Sequence, residues 1–275
     1  MKVILEMNHS TKKARSLGFQ SRTYIFITIV ITSCLLFSCR AAEEPIQTVS
    51  APVSPEVLTR SDQLFQDRRD LNNLREAIKL LSKARSENQR SFDVEWRFAR
   101  VNYFLGRHST DEKESSKAFE DGKKAGKAAM GMDPSKPDGH FWFGANLGAQ
   151  ADRSPLVLGI KSVGEIREAM NKVIAIDPAY QNASAYGVLG KIELVTRLMG
   201  GDVAKAVEYL QKAADLDKDN GDVRVDLAEA YLAQDKKAEA RKNLEYVVKM
   251  TPNPEYDLEY KQQLARAKKL LDSEF

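Results

Sequence analysis

Few residues in this 275-residue chain have the types and spacing that chemistry needs. It holds two cysteines, Cys34 and Cys39, and three histidines, His9, His108 and His140. His108 lies in a polar stretch, GRHSTDEKESS, and is expected to be solvated. His140 opens an aromatic segment, where capping or packing is the expected role; a general base would need an orienting partner within hydrogen-bond reach, and the sequence names none. Asp215, Asp217 and Asp219 alternate as at the start of a calcium loop. Such a loop takes glycine at its sixth position and a bidentate glutamate at its twelfth, and Asn220 and Asp226 stand there instead. That segment is therefore expected to be a turn, with no metal. The phosphate loop GxxxxGK[ST], the zinc motif HExxH, the nucleophile elbow GxSxG and the dinucleotide GxGxxG are all missing. No cofactor and no catalytic set is expected, and the function sought is non-covalent binding.

Composition points the same way. Hydrophobic residues make up 43% and charged ones 29%, with a mean hydropathy of −0.44, which excludes collagen-like, wholly disordered and polytopic membrane chains. The formal charge is +3, but residues 1–38 contain five Lys/Arg and one acid. The remainder carries 37 basic against 38 acidic side chains, so no basic face calls for nucleic acid.

Residues 1–23 are polar and basic, and Tyr24 to Ser38 (YIFITIVITSCLLFS) is about fifteen mostly apolar residues, shorter than the roughly 20 that span a bilayer. Basic region, apolar region and small residue before a cleavage point make a secretory signal over 1–38. Leu36-Phe37-Ser38-Cys39 resembles the lipobox of bacterial lipoproteins, which implies an acylated Cys39 as the new N-terminus and a membrane held through lipid. Cys34 also fits such a box, but cleavage there would leave Leu35-Leu36-Phe37 at the mature end. Met7 is an alternative start. Arg40 after the cysteine resembles the sorting rule for the outer membrane, facing the periplasm. Residues 39–55, rich in Ala, Pro, Ser and Glu, are expected to be a flexible tether.

From residue 56 to 275 the chain repeats itself, and the expected fold is all-α. Three segments end alike in helix and turn: MNKVIAIDP to Pro178, AVEYLQKAADLDK to Lys218 and ARKNLEYVVKMTP to Pro252. Lys218 to Pro252 is 34 residues, the tetratricopeptide period, so the expectation is an antiparallel helix-pair solenoid of five units. Its second-helix anchors are Ala77, Leu81 and Ala84; Ile166, Met170 and Val173; Ala206, Leu210 and Ala213; and Ala240, Leu244 and Val247. Unit two fits less well, with Gly122, Gly126 and Ala129. Successive turns lie 45, 44, 40 and 34 residues apart, from Gln89 through Pro134, Pro178 and Lys218 to Pro252. The surplus is assigned to the hairpin connections of units two, three and four. Tyr256 to Leu271 is amphipathic and is expected to cap the stack.

One segment, HFWFGANLGAQ from His140, is too particular for a plain repeat. With the later AYGVLGK and GGDVAKA it resembles the T-component family of TRAP-type (tripartite, ATP-independent periplasmic) transporters, over roughly Asp138 to Pro252. The resemblance implies an all-helical periplasmic lipoprotein that partners a solute-binding protein and passes an apolar ligand through an internal channel. By helical spacing Arg97, Val101, Ala145, Ala149, Lys191 and Glu229 should point into the concave surface, with His140 and Asn146 nearby. Three binding readings stand: docking of a protein partner, carriage of an apolar small molecule in a cavity that Phe141, Phe143 and Leu156 to Leu158 help enclose, and scaffolding of envelope assembly.

Overall fold

The computed structural model describes residues 54–86, 90–153 and 160–275. The expected signal, Cys39, nearly all of the expected tether and Leu156 to Leu158 lie outside the described residues. Within them the chain is helical, with no strand: α1 (Pro55–Gln66), α2 (Leu71–Ser86), α3 (Phe92–His108), α4 (Glu112–Met132), α5 (Pro137–Arg153), α6 (Ile160–Ile176), α7 (Tyr180–Val195), α8 (Val203–Leu216), α9 (Gly221–Leu232), α10 (Lys237–Lys249) and α11 (Asp257–Glu274). Paired in order, the first ten are the five units of a tetratricopeptide-type solenoid, and α11 packs on α9 and α10 as its cap.

The helices start where short polar side chains satisfy free backbone amides. Ser91, Asp111, Asp202 and Asn220 each accept a hydrogen bond from an N–H in the following first turn. Along the second helices the anchors recur at three- and four-residue steps, and all twelve named for units one, three, four and five are buried.

Unit two departs from the anchor pattern because α4 and α5 approach almost backbone to backbone. A methyl on Gly126 would lie 2.5 Å from the Phe143 backbone nitrogen, and one on Gly122 would meet the Asn146 side chain. Its surplus length is also not a loop. Only Ser109 to Asp111 separates α3 from α4, and the extra residues lengthen the helices to 17 and 21 residues. In unit four the surplus does lie in the connection, which contains the 3-10 turn Arg197–Met199 and the pair Gly200-Gly201.

The stack curves until its ends meet. Arg68, after α1, gives two hydrogen bonds to Glu259 of α11 at 3.1 and 3.2 Å, across 191 positions of sequence. Its guanidinium lies over the rings of Phe65, Phe104 and Tyr256, and its side chain is only 3% exposed. A bidentate pair stacked between aromatic rings is among the stronger ways to hold two surface elements together. The solenoid is thereby closed into a ring.

Candidate binding cavity

Inside that ring lies a cavity of about 790 Å³. The first helices of units two to five (α3, α5, α7 and α9) supply most of its wall, and α11 with the segment before it closes the remaining side. On α3, Tyr103 with Arg107 and Phe104 with His108 are two i, i+4 pairs on one face. On α5 the small residues Gly144, Ala145, Gly148 and Ala149 leave room, flanked by Phe141 and Trp142. On α7 Val188, Ile192 and Val195 continue an apolar wall that Val163 and Ile166 of α6 extend. Tyr103, Phe104, Phe141 and Trp142 touch one another in edge-on and tilted contacts, which fixes that wall.

The wall carries charges of both signs. Glu259 is paired with Arg68 and Asp226 with Arg266, Asp222 and Asp217 accept from the neutral amides of Gln263 and Asn182, and Asp152 lines the cavity without a hydrogen bond to another described residue. Asp219 accepts from Lys218 and from the Tyr246 hydroxyl. The alternating aspartates therefore form a hydrogen-bonded turn. Lys191 and Arg107 make no hydrogen bond or ion pair with another described residue, but each lies in the field of lining acids, Lys191 in that of Asp226 and Arg107 in that of Asp222, Asp152 and Glu259. Burial raises the Tyr103 phenol above its ordinary titration range, with the two cations opposing the shift and Asp222 and Asp152 adding to it. Burial likewise raises Asp226, against the pull of Lys191 and Arg266. Burial lowers His108, which stacks on Phe104, so the ring is held toward its neutral form.

At the edge of the cavity Gln181, Asn182 and Ala183 all adopt left-handed backbone, with φ of 48°, 59° and 56°. Each such non-glycine residue costs roughly 1–2 kcal/mol. Asn182 supplies the restraint, donating to Asp217 and accepting from the Asn220 side chain at 2.9 Å and the Tyr256 hydroxyl at 3.3 Å. The turn ties α7 both to the start of α9 and to the segment that closes the ring.

Of the residues the sequence assigned to the concave surface, Ala145, Ala149 and Lys191 line the cavity. The others are placed elsewhere. Val101 is wholly buried between helices. Asn146 is too, donating to the carbonyls of Ala99 and Trp142 at 3.1 and 2.7 Å and so joining α5 to α3. His140 donates through Nε2 to the Pro134 carbonyl at 3.0 Å. Arg97 is bound to Asp62 and Asp93, between α1 and α3. Glu229 follows Asp226 on the inner face of α9 but is covered by Arg266 of α11. His108 reverses its expected role, ending α3 half-buried on the cavity wall. Tyr103, Phe104 and Arg107 were not among the assigned concave-surface residues, although the paired i, i+4 spacing in YFLGRH carries the signal.

Residues 57–192, spanning α1 through most of α7, match a family described as regulator of microtubule dynamics protein 1-3, and residues 197–259 match a tetratricopeptide repeat family. Regulator of microtubule dynamics protein 1 of Caenorhabditis elegans is 28% identical over 123 residues, 45% of this chain and 52% of the relative. The chain thus spans about half the length of the curated relative it matches. Among solved structures, a thermophilic TPR protein of Thermus thermophilus is similar with a TM-score of 0.56 at 20% identity, covering 78% of this chain and 100% of that one. Pseudomonas aeruginosa pilF is similar with a TM-score of 0.51 at 18% identity, covering 79% of this chain and 91% of that one. These likenesses establish the helical-repeat fold, an architecture that presents concave surfaces for binding.

Proposed function

We propose that this chain is a non-catalytic binding protein whose closed solenoid holds one amphipathic anion. The observation that carries the reading is the ring-enclosed cavity of about 790 Å³, inside the roughly 300–1,000 Å³ of small-molecule sites, with an apolar aromatic wall and two cations, Arg107 and Lys191, that make no hydrogen bond or ion pair with another described residue. The anionic head sits between Arg107, Lys191 and the Tyr103 hydroxyl. The tail lies along Phe104, Trp142, Val163 and Ile166, over the floor that Ala145 and Ala149 keep low. Native mass spectrometry of the full chain, released gently from its membrane, should show one bound organic mass per chain, which Ala149→Trp removes by filling the floor. Its mass also separates a free fatty acid from a phospholipid. A wild-type chain that flies bare under conditions preserving the fold would overturn the reading.

A second reading is supported by HFWFGANLG and the GGD turn. In it the chain partners the solute-binding protein of a TRAP-type transporter and works from the outer membrane, facing the periplasm, through lipid on Cys39. The match to regulators of microtubule dynamics covers the same aromatic helix. Cross-linking in the envelope followed by affinity capture should recover a solute-binding protein. Recovery of wall-synthesis or outer-membrane assembly proteins alone would reassign the chain to envelope organisation and leave the cavity reading intact.

A further inference from the structure

We infer that the connection between α7 and α8 is a membrane-docking tip, which sets the mouth of the cavity against a lipid bilayer. Among the described residues five large apolar side chains are strongly exposed, and three of them are here: Leu198 at 90%, Met199 at 66% and Val195 at 57%. Single exposed apolar residues are ordinary, but three within five positions form a patch. Val195 and Met199 also line the cavity, so the patch is continuous with the apolar wall inside.

The tip is built. The Thr196 hydroxyl donates to the Ile192 carbonyl at 2.6 Å, and the Thr196 carbonyl accepts from the amides of Met199 and Gly201 at 2.7 and 2.9 Å. Gly200 has φ of 103°, and a methyl on Gly201 would collide with the Glu193 carbonyl, so the loop needs both glycines. The Asp202 amide donates to buried Glu193, which Arg167 also holds, and Asp202 then caps α8. A base bonded this fully presents Leu198 and Met199 outward as a fixed shape.

Size and charge choose the occupant. A stable protein interface buries about 800 Å² per partner, far more than three side chains provide, whereas shallow insertion into a bilayer needs only a few apolar groups beside a cation. Arg197 stands between Val195 and Leu198, its guanidinium held at 3.1 Å by the Leu194 carbonyl. The acids on either side, Glu193 and Asp202, are spent on Arg167 and on the α8 cap. The tip therefore offers apolar side chains to the acyl region and a cation to anionic headgroups. A lipid anchor at Cys39 and this tip would be two separate membrane contacts. The inference rests on the cavity reading only for its purpose, delivering the bound molecule to or from lipid.

The test uses the full chain on vesicles of phosphatidylcholine and phosphatidylglycerol with acyl chains brominated. Leu198→Trp should show several-fold more bromine quenching than Glu208→Trp on the exposed face of α8, each read over the wild-type tryptophans. Equal quenching at the two positions would overturn the tip. Amide exchange of wild-type residues 196–201, which should slow when vesicles are added, decides the same point without a substitution; no slowing counts against it. In the variant Leu198→Asp, at a position that does not line the cavity, the bound mass should persist while transfer to acceptor vesicles slows. A bare chain alongside normal quenching at position 198 would sink the cavity reading and leave the tip standing.

Discussion

Glu95 is fully buried, and Arg85 and Arg90 reach it from the end of α2 and the connection that follows, at 2.8 and 2.9 Å. Removing both arginines leaves the buried carboxylate without compensation, so Arg85→Ala/Arg90→Ala should cost about 3 kcal/mol, read as a lowered urea midpoint. A milder case is Glu114, which accepts from Arg75 and from the Ser109 hydroxyl, bonds that hold its carboxyl at about 2. An unfolded glutamate titrates near 4.5, so this stability is complete above that pH and is lost as pH falls toward 2. Glu114→Gln should therefore lower Tm at neutral pH and flatten its acid decline between those values. At this scale the repeat anchors were legible, because periodicity alone decides burial. Asn146 and Glu229 were not, because neighbours outside their own helix decide their direction: the glycine gap at Gly122 admits one, and Arg266 covers the other.

Helix pairs are where small residues set distances. Gly126 permits the contact of α4 with α5, and Gly126→Ala would force a methyl against the Phe143 backbone, at about 1–3 kcal/mol of lost stability. Gly164 in α6 has nothing within 4 Å of an added methyl, so Gly164→Ala should instead gain about 0.5–1 kcal/mol from helix propensity. Opposite shifts in thermal unfolding would confirm the packing, and equal shifts would deny it. The sequence showed five helix pairs and the cap, since hydrophobic period and turn residues are local. It misplaced the surplus of unit two because 44 or 45 residues per unit is compatible with either a long loop or long helices. Only the packing of α4 against α5, glycine to aromatic, favours the helices.

The closed ring is a property of the whole molecule, and no local pattern announces it. Curvature accumulates from small rotations at every repeat, and the partners that seal it, Arg68 and Glu259, are separated by nearly the entire solenoid. Glu259→Gln should leave the helices folded, speed amide exchange in α11, and speed ligand exchange more than it weakens affinity. Spacing along one helix suffices to assign Lys191 to the inner surface and to pair Tyr103 with Arg107, but that the three line one cavity follows only from the closure of the ring. The most direct measurement is titration of the full chain with a long-chain carboxylate bearing an environment-sensitive fluorophore. Saturation at one probe per chain, weakened about tenfold or more by Lys191→Glu and abolished by Ala149→Trp, is the predicted result. Binding that never saturates, or that ignores both substitutions, would contradict an anion-holding cavity.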